Sequence, residues 1–524
     1  MSLSIENRKV LLLLFFALLI RLFLVFPGLQ FLLKNSIVYD DAFIAFSIAR
    51  NVYLGNGFSF NGLEPTAGSP IVWPLLISAF GFLGKEALAL FGVTLGGVFF
   101  VLSGIPLYSI SQKIFNEKNL SLMILALFLF NPFFILMSLN GLESPLFVFF
   151  LLLTFWYYLK YIRDNHLSLF KIFFLGILFL LSILTREEGY LIFLSIFLDQ
   201  FLFFKRRFRT IVIFAIFLAT LVLPQIIYRL YFFGNIVSSN FYFFLKTPWS
   251  YKHGFLLQRT GVLILIFSLI NTALGNILLS LSGFFFIKTK NILKLFPLIT
   301  YAFFNILFYS FVIPVGTFRY TFPVSGILTI GLGIFFIFLK ERLKLTFKGI
   351  VYKSIFAVFL VLFLGLLSLS SFMIWTNVRY GGDGEVMWKS RNINYYNAAK
   401  FINVNTPENT IVASVHTGTL QYSIDKRYVI DAGGKVDYKV VDYTNQNKLF
   451  DYLKSKNVSY MVQIVSPEQI KAINESDITY IETIYLKPNE PLAYIRGIQT
   501  HQIENYLVIL KFTKEYTKFF LPVE

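Results

Sequence analysis

The chain has 524 residues, of which 56% are hydrophobic and 14% are charged, and its formal net charge is +18 at pH 7. It contains no cysteine, which excludes a disulfide framework and any thiolate metal or catalytic site. The positive charge does not indicate nucleic acid as a partner, because the lysines and arginines cluster in short segments between long apolar runs. This distribution is typical of a membrane protein whose basic loops face the cytoplasm.

Apolar runs of membrane-spanning length recur from Val10 to Ile374. The run 71–83 is too short to span and is predicted to lie along the interface or to re-enter. Arg21 falls inside the first run, where it has a functional role or extends to the outer interface; Asp199 is interpreted as structural. We predict about eleven transmembrane helices, at 10–27, 87–110, 120–138, 144–161, 169–184, 190–204, 211–228, 262–286, 295–313, 320–338 and 355–374.

Basic segments orient these helices, because cytoplasmic loops carry an excess of lysine and arginine. Segments such as 205–209 and 340–353 therefore place the N-terminus in the cytoplasm. An odd number of spans then places the C-terminus outside. We predict a multi-pass protein of the cell (inner or plasma) membrane, with a transmembrane domain at 1–375 and a soluble extracytoplasmic α/β domain at 376–524.

The C-terminal part alternates short strand-like and helix-like segments, which is typical of a small α/β sandwich. Asp431 follows a predicted strand, where open α/β sheets bind ligands. His416 follows another. A turn aspartate and a hydrogen-bonded histidine at a strand end are the alternative interpretations. The predicted strands are "NTIVASV", "RYVIDAGG", "SYMVQIV" and "ITYIETIYL", and the helices are "NYYNAAKFINVN", "QNKLFDYLKSKN" and "SPEQIKAIN".

The predicted orientation gathers the polar segments of the membrane domain on its outer side. An extracytoplasmic active site would have this arrangement. The exported domain is expected to select an acceptor there and to take no part in the chemistry. The segments are "YDD", "SLNGLESPLF", "LTREEGYL", "GNIVSSNFYFF" and "VGTFRYTFP".

Two adjacent carboxylates, Asp40 and Asp41, begin the first of these segments. The spacing of Asp40, Ser47 and Asn51 predicts one face of a helix that ends near Gly55. One aspartate could cap this helix, which stabilises a helix by about 1 kcal/mol. Capping does not explain two acids, because adjacent like charges repel each other. We therefore predict a functional role for at least one of them.

Two arginines on the outer side are candidates for phosphate binding. Arg186 precedes Glu187 and Glu188, and Arg319 lies in "GTFRYTFP". A guanidinium binds two phosphate oxygens through parallel hydrogen bonds. In the alternative interpretation, Arg186 pairs with a neighbouring glutamate and Arg319 extends to the membrane surface.

Two further outer-side residues have weaker signals. Glu143, in "GLESPLF", either caps the fourth span or belongs to the site. Asn240, followed by two aromatic residues, is predicted to contact a sugar or a lipid.

These segments resemble the GT-C superfamily of membrane glycosyltransferases, and within it the arabinofuranosyltransferase AftB and its bacterial relatives. Later shared blocks are "GLESPLF", "LTREEGYL" and "FRYTFP", followed by "NTPENTIVAS" and "YVIDAGG" in the exported domain. The first shared pattern, "DDAFI…ARN…GNGFSFN…E…GSP…W", is matched by Asp40, Asp41, Arg50, Asn51, Gly55, Gly57, Asn61, Glu64, Gly68, Ser69 and Trp73.

The resemblance implies a sugar transfer from a polyprenyl-phosphate donor to a glycan or glycolipid acceptor outside the cytoplasm, by a single inverting displacement at the lipid surface. An acid of the first external loop would be the base, with Asp40 narrowly favoured over Asp41. The other acid would hold the helix, the acceptor or a divalent ion (Mg²⁺ or Mn²⁺). Expected donor-site residues are Arg186, Arg319, Glu143, Glu187, Glu188 and Asn240; expected acceptor-site residues are Asn51, Trp73, His416 and Asp431.

Two other classes of protein have a similar outline. A transporter or flippase of a lipid-linked sugar is the main alternative, but its ionisable groups are expected near the membrane midplane. A receptor or assembly protein would leave the pair Asp40 and Asp41 without a role. Both alternatives fit the outer-side polar segments less well than an enzyme does.

Overall fold

A computed structural model describes much of the chain, with gaps in the second half of the membrane domain and near the C-terminus. The descriptions below concern these parts only. The described residues are 5–66, 70–163, 168–204, 208–238, 242–243, 246, 283, 289–309, 320, 322–347, 349–359, 361–363, 365, 388–465, 480–482 and 506–511.

The membrane domain is built of helices joined by short connections. Four helices make up its first part: α1 (Ile5–Val25), α2 (Leu29–Lys34), α3 (Asp40–Tyr53) and α4 (Val72–Ser78). The remaining helices are α5 (Lys85–Phe115), α6 (Lys118–Phe130), α7 (Pro132–Ser138), α8 (Ser144–Tyr157), α9 (Leu169–Thr185), α10 (Gly189–Phe203), α11 (Phe208–Phe233), α12 (Thr289–Leu307), α13 (Ser325–Thr346) and α14 (Ile350–Phe363).

Three helical segments of the described chain are long and apolar enough to cross a membrane: Lys85–Phe115, Ser144–Ile162 and Phe322–Thr346. A fourth is added if α6 and α7, which meet at a 58° bend, form one broken span. Helices lie in every predicted span except 262–286, which falls outside the described residues apart from Gly283. The helical membrane architecture is therefore observed, and the number of eleven spans stays a prediction.

Arg21 stabilises the bend between α6 and α7. At the bend, the Phe133 N–H donates to the side chain of Asn131 at 3.0 Å, instead of continuing the helix to the Leu129 carbonyl. The Arg21 guanidinium donates to that carbonyl at 3.3 Å and to the Ser138 hydroxyl at 2.9 Å. Arg21 is 1% exposed, so it braces the helix break and does not extend to the interface.

Two glycines of the long helix α5 let neighbouring helices approach it closely. A Cβ on Gly96 would lie 2.9 Å from the Ser138 carbonyl, and one on Gly92 would lie 2.5 Å from the Phe46 ring. The first contact brings α7 against α5, and the second brings α3 against it. The glycines thus set the position of the helix that carries the two aspartates.

The C-terminal domain has the predicted α/β architecture. Its strands are β1 (Ile411–Ser414), β2 (Tyr428–Asp431), β3 (Tyr460–Val465), β4 (Tyr480–Glu482) and β5 (Tyr506–Lys511). They form one sheet in the order β2-β1-β3-β5-β4, in which β2, β1 and β3 are parallel and β5 is antiparallel to both neighbours. The helices are α15 (Trp388–Asn405), α16 (Gly418–Ser423), α17 (Tyr438–Asn445) and α18 (Leu449–Ser455).

The four predicted strands are found, whereas β5, α16 and α17 were not predicted. The predicted helix 466–474 lies outside the described residues. The parallel strands arise as expected, because β1 and β2 are connected through α16, and helices α17 and α18 lie between β2 and β3.

The C-terminal domain packs directly against α3. The ring of Tyr422, on α16, lies with its centroid 5.4 Å from that of Phe43 and 6.0 Å from that of Phe46. Beside this contact, the Asn392 side chain donates to the Val38 carbonyl at 2.8 Å. The fold therefore places the C-terminal domain against the segment that carries both aspartates.

Candidate active site at the domain junction

Helix α3 begins at Asp40, as the sequence predicts, but neither aspartate caps it. The N-cap residue is Tyr39, which makes no side-chain capping bond. Asp40 and Asp41 occupy the first turn, where negative charge interacts favourably with the helix dipole. The interpretation that one aspartate caps its own helix is therefore wrong, and both carboxylates are available for other contacts.

Asp40 accepts hydrogen bonds from the C-terminal domain. Its Oδ1 accepts hydrogen bonds from the backbone N–H and the hydroxyl of Thr419, both at 2.8 Å, and Gly418 N–H points at its Oδ2 from 3.4 Å. These groups belong to the first turn of α16, whose own cap, Thr417, makes no side-chain bond. Asp40 thus satisfies the free N–H groups of a helix in the other domain, and it is 3% exposed.

Gly418 allows this close approach. A Cβ at this position would lie 2.0 Å from the Asp40 carbonyl oxygen, a distance at which the backbone must shift. The α16 turn can therefore reach the carboxylate only with glycine at its first position.

Asp41 has a different partner and more solvent contact. Its Oδ1 lies 2.8 Å from Nζ of Lys435, in the loop after β2, and the Asp41 side chain is 23% exposed. The two adjacent acids therefore separate by environment: Asp40 is buried in hydrogen bonds, and Asp41 forms an ion pair at the edge of the junction. Of the two, Asp41 is the one that a substrate could approach.

Asp431 shapes the loop that carries Lys435. It accepts hydrogen bonds from Gly433 N–H at 2.9 Å and from Val436 N–H at 2.7 Å, on either side of the lysine. Burial raises the pKa of Asp431 to about 6, although both hydrogen bonds act in the opposite direction. From the membrane domain, the Thr66 hydroxyl donates to the Val436 carbonyl at 2.9 Å. Lys435 is thus fixed from both domains.

A second polar cluster surrounds Arg186. Its guanidinium makes ion pairs with Glu143 at 2.6 Å and with Glu188 at 2.7 Å. It also donates to the Ser144 hydroxyl at 3.0 Å and to the Tyr309 hydroxyl at 3.3 Å, while the Tyr309 hydroxyl donates to Glu188. Since Nε adds a bond to Glu188 at 2.9 Å, all five N–H donors of the arginine have an acceptor.

The contacts of Arg186 in this cluster occupy the groups that the sequence predicts to bind phosphate. The side chain of Arg186 is 9% exposed and is held by two carboxylates, which matches the alternative interpretation of a paired arginine. Glu143 binds Arg186 and makes no capping bond to α8, although it occupies the N-cap position. A donor phosphate could contact Arg186 only by displacing one of these acceptors, so its phosphate role stays a prediction.

The remaining donor-site candidates divide into two groups. Glu187 turns away from Arg186 and pairs with Arg229 at 3.1 Å. Arg319 and Asn240 lie outside the described residues.

The loop between α7 and α8 joins the two clusters. The Asn140 carbonyl accepts from Tyr39 N–H, and the Gly141 carbonyl accepts from the Trp73 indole N–H, both at 3.0 Å. Two residues later, Glu143 binds Arg186. The predicted convergence of "YDD", "GLESPLF" and "LTREEGYL" is therefore observed.

All four expected acceptor-site residues have contacts within the structure. Trp73 is fully buried behind α3. Asn51 donates to the carbonyls of Ser59 and Phe60, both at 3.0 Å, and so closes the loop after α3. Asp431 holds the Lys435 loop. His416 is half-buried near the Tyr395 ring, with the ring centroids 5.9 Å apart. Acceptor binding by these residues stays a prediction.

The carboxylates of Asp40 and Asp41 do not form a divalent-ion site in the described structure. Within the described ranges, no three or more histidine, aspartate or glutamate side chains come together in a way that could hold a metal. Asp40 is occupied by α16 and Asp41 by Lys435. No step below is therefore derived through a metal.

Several residues of the site escaped the sequence analysis. Lys435, Gly418 and Thr419 belong to the C-terminal domain, and nothing local in the sequence relates them to residues almost 400 positions away. The only available signal was the glycine pair before Lys435, which predicts a tight loop after a strand. Arg229 directly follows the predicted span 211–228, and the sequence analysis assigns it no role.

Comparison with known proteins identifies the fold. No curated protein matches the sequence. Residues 385–517 match a family described as a domain of unknown function (DUF8728). ArnT from Cupriavidus metallidurans, solved with undecaprenyl phosphate, is 11% identical with a TM-score of 0.57, over 96% of this chain and 97% of that one.

Two structures from Archaeoglobus fulgidus are also similar. An oligosaccharyltransferase in complex with zinc and sulfate is 14% identical with a TM-score of 0.56, over 88% of this chain and 69% of that one. The oligosaccharyltransferase AglB with an inhibitory peptide and a dolichol-phosphate is 14% identical with a TM-score of 0.50, over 90% and 71%. The chain has the GT-C fold. In this chain, Asp40 and Asp41 lie where the membrane domain meets the C-terminal domain.

Proposed function

We propose that the protein is a membrane glycosyltransferase that moves a sugar from a polyprenyl-phosphate donor to a glycan or glycolipid acceptor outside the cytoplasm. The observation that carries this proposal is Asp41, an accessible carboxylate at the first turn of α3, at the junction of the two domains. Its support is the GT-C fold, which is shared with an ArnT bound to undecaprenyl phosphate and an AglB bound to a dolichol-phosphate.

Asp41 is the proposed base, in place of the narrowly favoured Asp40. A base must approach the acceptor hydroxyl to about 3 Å. Asp40 is 3% exposed, and Thr419 takes up its Oδ1 with two hydrogen bonds. Asp41 is paired with Lys435 and 23% of its side chain is exposed, so an acceptor can reach it with a smaller rearrangement.

The proposed reaction is a single displacement. The acceptor hydroxyl gives its proton to Asp41 as its oxygen bonds to the anomeric carbon. The bond from that carbon to the phosphate oxygen breaks, and its electron pair stays on the phosphate. The phosphodiester donor becomes a polyprenyl phosphate, and the anomeric centre is inverted. The arabinofuranosyl donor suggested by the sequence resemblance is the first sugar to test.

The test is a transfer assay with the full-length protein in lipid nanodiscs and a panel of radiolabelled polyprenyl-phosphate sugars, including the arabinofuranosyl one. Asp41→Asn keeps the shape of the side chain and removes its basicity. We expect turnover to fall about 100-fold or more with donor affinity within a few fold. Glu408→Gln, at an exposed ion pair with Lys426, is the matched carboxylate control and should be active.

Three outcomes are distinguishable in this assay. Sugar transfer that depends on Asp41 supports the proposal. Movement of an intact lipid-linked sugar across the bilayer, with no cleavage of its phosphate bond, would instead identify the flippase alternative. Transfer at the wild-type rate by Asp41→Asn would remove Asp41 from the chemistry.

A further inference from the structure

The ion pair between Asp41 and Lys435 joins a membrane-domain residue to an exported-domain residue. Its two atoms are 2.8 Å apart, and neither side chain is fully buried, with 23% of Asp41 and 29% of Lys435 exposed. An isolated surface pair of this kind contributes little to stability, typically about 0–1 kcal/mol. A contribution to stability therefore does not explain why a constrained loop holds this lysine beside Asp41.

The loop that presents Lys435 is unusually well fixed. Gly434 adopts a left-handed φ of +79°, which favours glycine, and a Cβ on Gly433 would lie 2.8 Å from the Val415 carbonyl oxygen. The buried carboxylate of Asp431 binds the N–H groups on both sides of Lys435, and Thr66 binds the Val436 carbonyl from the other domain. The lysine is thus preorganised toward Asp41.

The neighbouring contact fixes the register of the two domains. Asp40 is bonded to the first turn of α16, and Gly418 leaves no room for a side chain at that point. Because Asp40 and Asp41 are adjacent in the chain, docking α16 onto the first carboxylate also sets where the second one meets Lys435. One aspartate positions the domain, and the other receives its cation.

We propose that Lys435 is a positioning residue of the transferase: the exported domain supplies the counter-ion that orients the Asp41 carboxylate, so the base is complete only when that domain is docked. This inference rests on the proposed function. It revises the expectation that the exported domain takes no part in the chemistry.

The charges of the proposed reaction support this role. When Asp41 accepts the acceptor proton it becomes neutral, and at the same time the phosphate gains a negative charge as its bond to the sugar breaks. The ammonium group of Lys435 stays positive throughout. An ammonium group beside a carboxylate stabilises its charged form, so Lys435 does not make Asp41 more basic. Its contribution is to orient the carboxylate and, once Asp41 is neutral, to offset the negative charge that develops on the departing phosphate.

The junction also has unused hydrogen-bonding capacity. Within the described part of the chain, the buried Thr417 hydroxyl and the buried Asn140 side-chain N–H group have no hydrogen-bond partner. Thr417 directly precedes the first turn of α16, which is bonded to Asp40. The Asn140 carbonyl accepts from the N–H of Tyr39, the residue before Asp40. Buried polar groups are ordinarily satisfied, so these two are suited to a polar substrate group at the junction.

The experiment uses the full-length protein in nanodiscs and the transfer assay described above. Lys435→Met should lower kcat about tenfold or more while the KM for the donor changes less than about threefold. Lys435→Arg keeps the cation and should restore most of the turnover. Lys439→Met, on the exposed first turn of α17, is the matched lysine control and should transfer normally.

A double-mutant cycle separates positioning from a structural role. If Lys435 acts through Asp41, then Lys435→Met should reduce turnover less than about threefold when added to Asp41→Asn. Independent multiplication of the two losses would overturn the inference. So would a folded Lys435→Met that transfers at the wild-type rate.

Thr66→Val provides a second variant in case Lys435→Met fails to fold. It removes the hydrogen bond to the Val436 carbonyl without removing charge, and it should lower kcat about two- to fivefold. Unchanged kcat in this variant would contradict preorganisation of the loop. Failure of the proposed function has a different signature, because then the wild type transfers no sugar or Asp41→Asn stays fully active.

Discussion

Removing the Asp40 carboxylate tests whether the two adjacent aspartates have separate roles. In Asp40→Ala, the buried Thr419 N–H and hydroxyl lose an acceptor that lies 2.8 Å away. Leaving one buried hydrogen-bonding group unsatisfied costs about 1–3 kcal/mol. With two such groups, and water able to enter beside α16, we expect the junction to lose about 2–4 kcal/mol.

The assay is thermal unfolding of the purified protein, paired with turnover. Asp40→Ala should unfold at a clearly lower temperature than the wild type. Asp41→Ala should change the unfolding temperature little, because an ion pair exposed to this degree contributes only about 0–1 kcal/mol. Turnover should show the reverse order. Asp40→Asn, whose amide oxygen can still accept from Thr419, should keep activity within about tenfold.

The reasoning would be refuted by an Asp40→Ala protein with an unchanged unfolding temperature. It would also fail if Asp40→Asn abolished turnover while the protein stayed fully folded and Asp41→Asn remained active. The first result would remove the docking role of Asp40, and the second would return Asp40 to the position of base that the sequence narrowly favours.

Three further predictions follow from the structure. Arg186→Met strands two buried carboxylates, so we expect a loss of about 3–5 kcal/mol, seen as a large drop in unfolding temperature; an unchanged temperature would show that the cluster is open to solvent. Burial raises the pKa of Asp431 from 3.8 to about 6. Its contribution to folding stability is therefore complete below about pH 4 and is lost as the pH rises through 6. Asp431→Asn should flatten this part of the pH dependence of unfolding, and an unaltered profile would contradict the prediction. Because the chain has no cysteine, Asn445→Cys should react with an impermeant thiol reagent on whole cells and Glu117→Cys should not; the opposite pattern would reverse the predicted topology.

The sequence by itself determined the features that depend on local pattern. Apolar runs between Val10 and Ile374 require helices, since a membrane leaves no other way to satisfy the backbone. The polar face from Asp40 to Asn51 predicted α3, which ends at Tyr53, two residues before Gly55. Alternation of strands and helices after Trp375 predicted the α/β domain. The outer-side motifs pointed to one site because each follows a span that ends on the same side.

Only the tertiary structure decided how the residues of that site divide their roles. Asp40 and Asp41 are equivalent in the sequence, yet one meets the N–H groups of α16 and the other meets Lys435. Arg186 suits a phosphate by type, but two carboxylates hold it. These outcomes depend on contacts between segments far apart in the chain, where close approaches such as that of Gly418 to Asp40 fix the geometry. Local periodicity carries no information about such contacts, because it records which face of an element is buried and not what covers it.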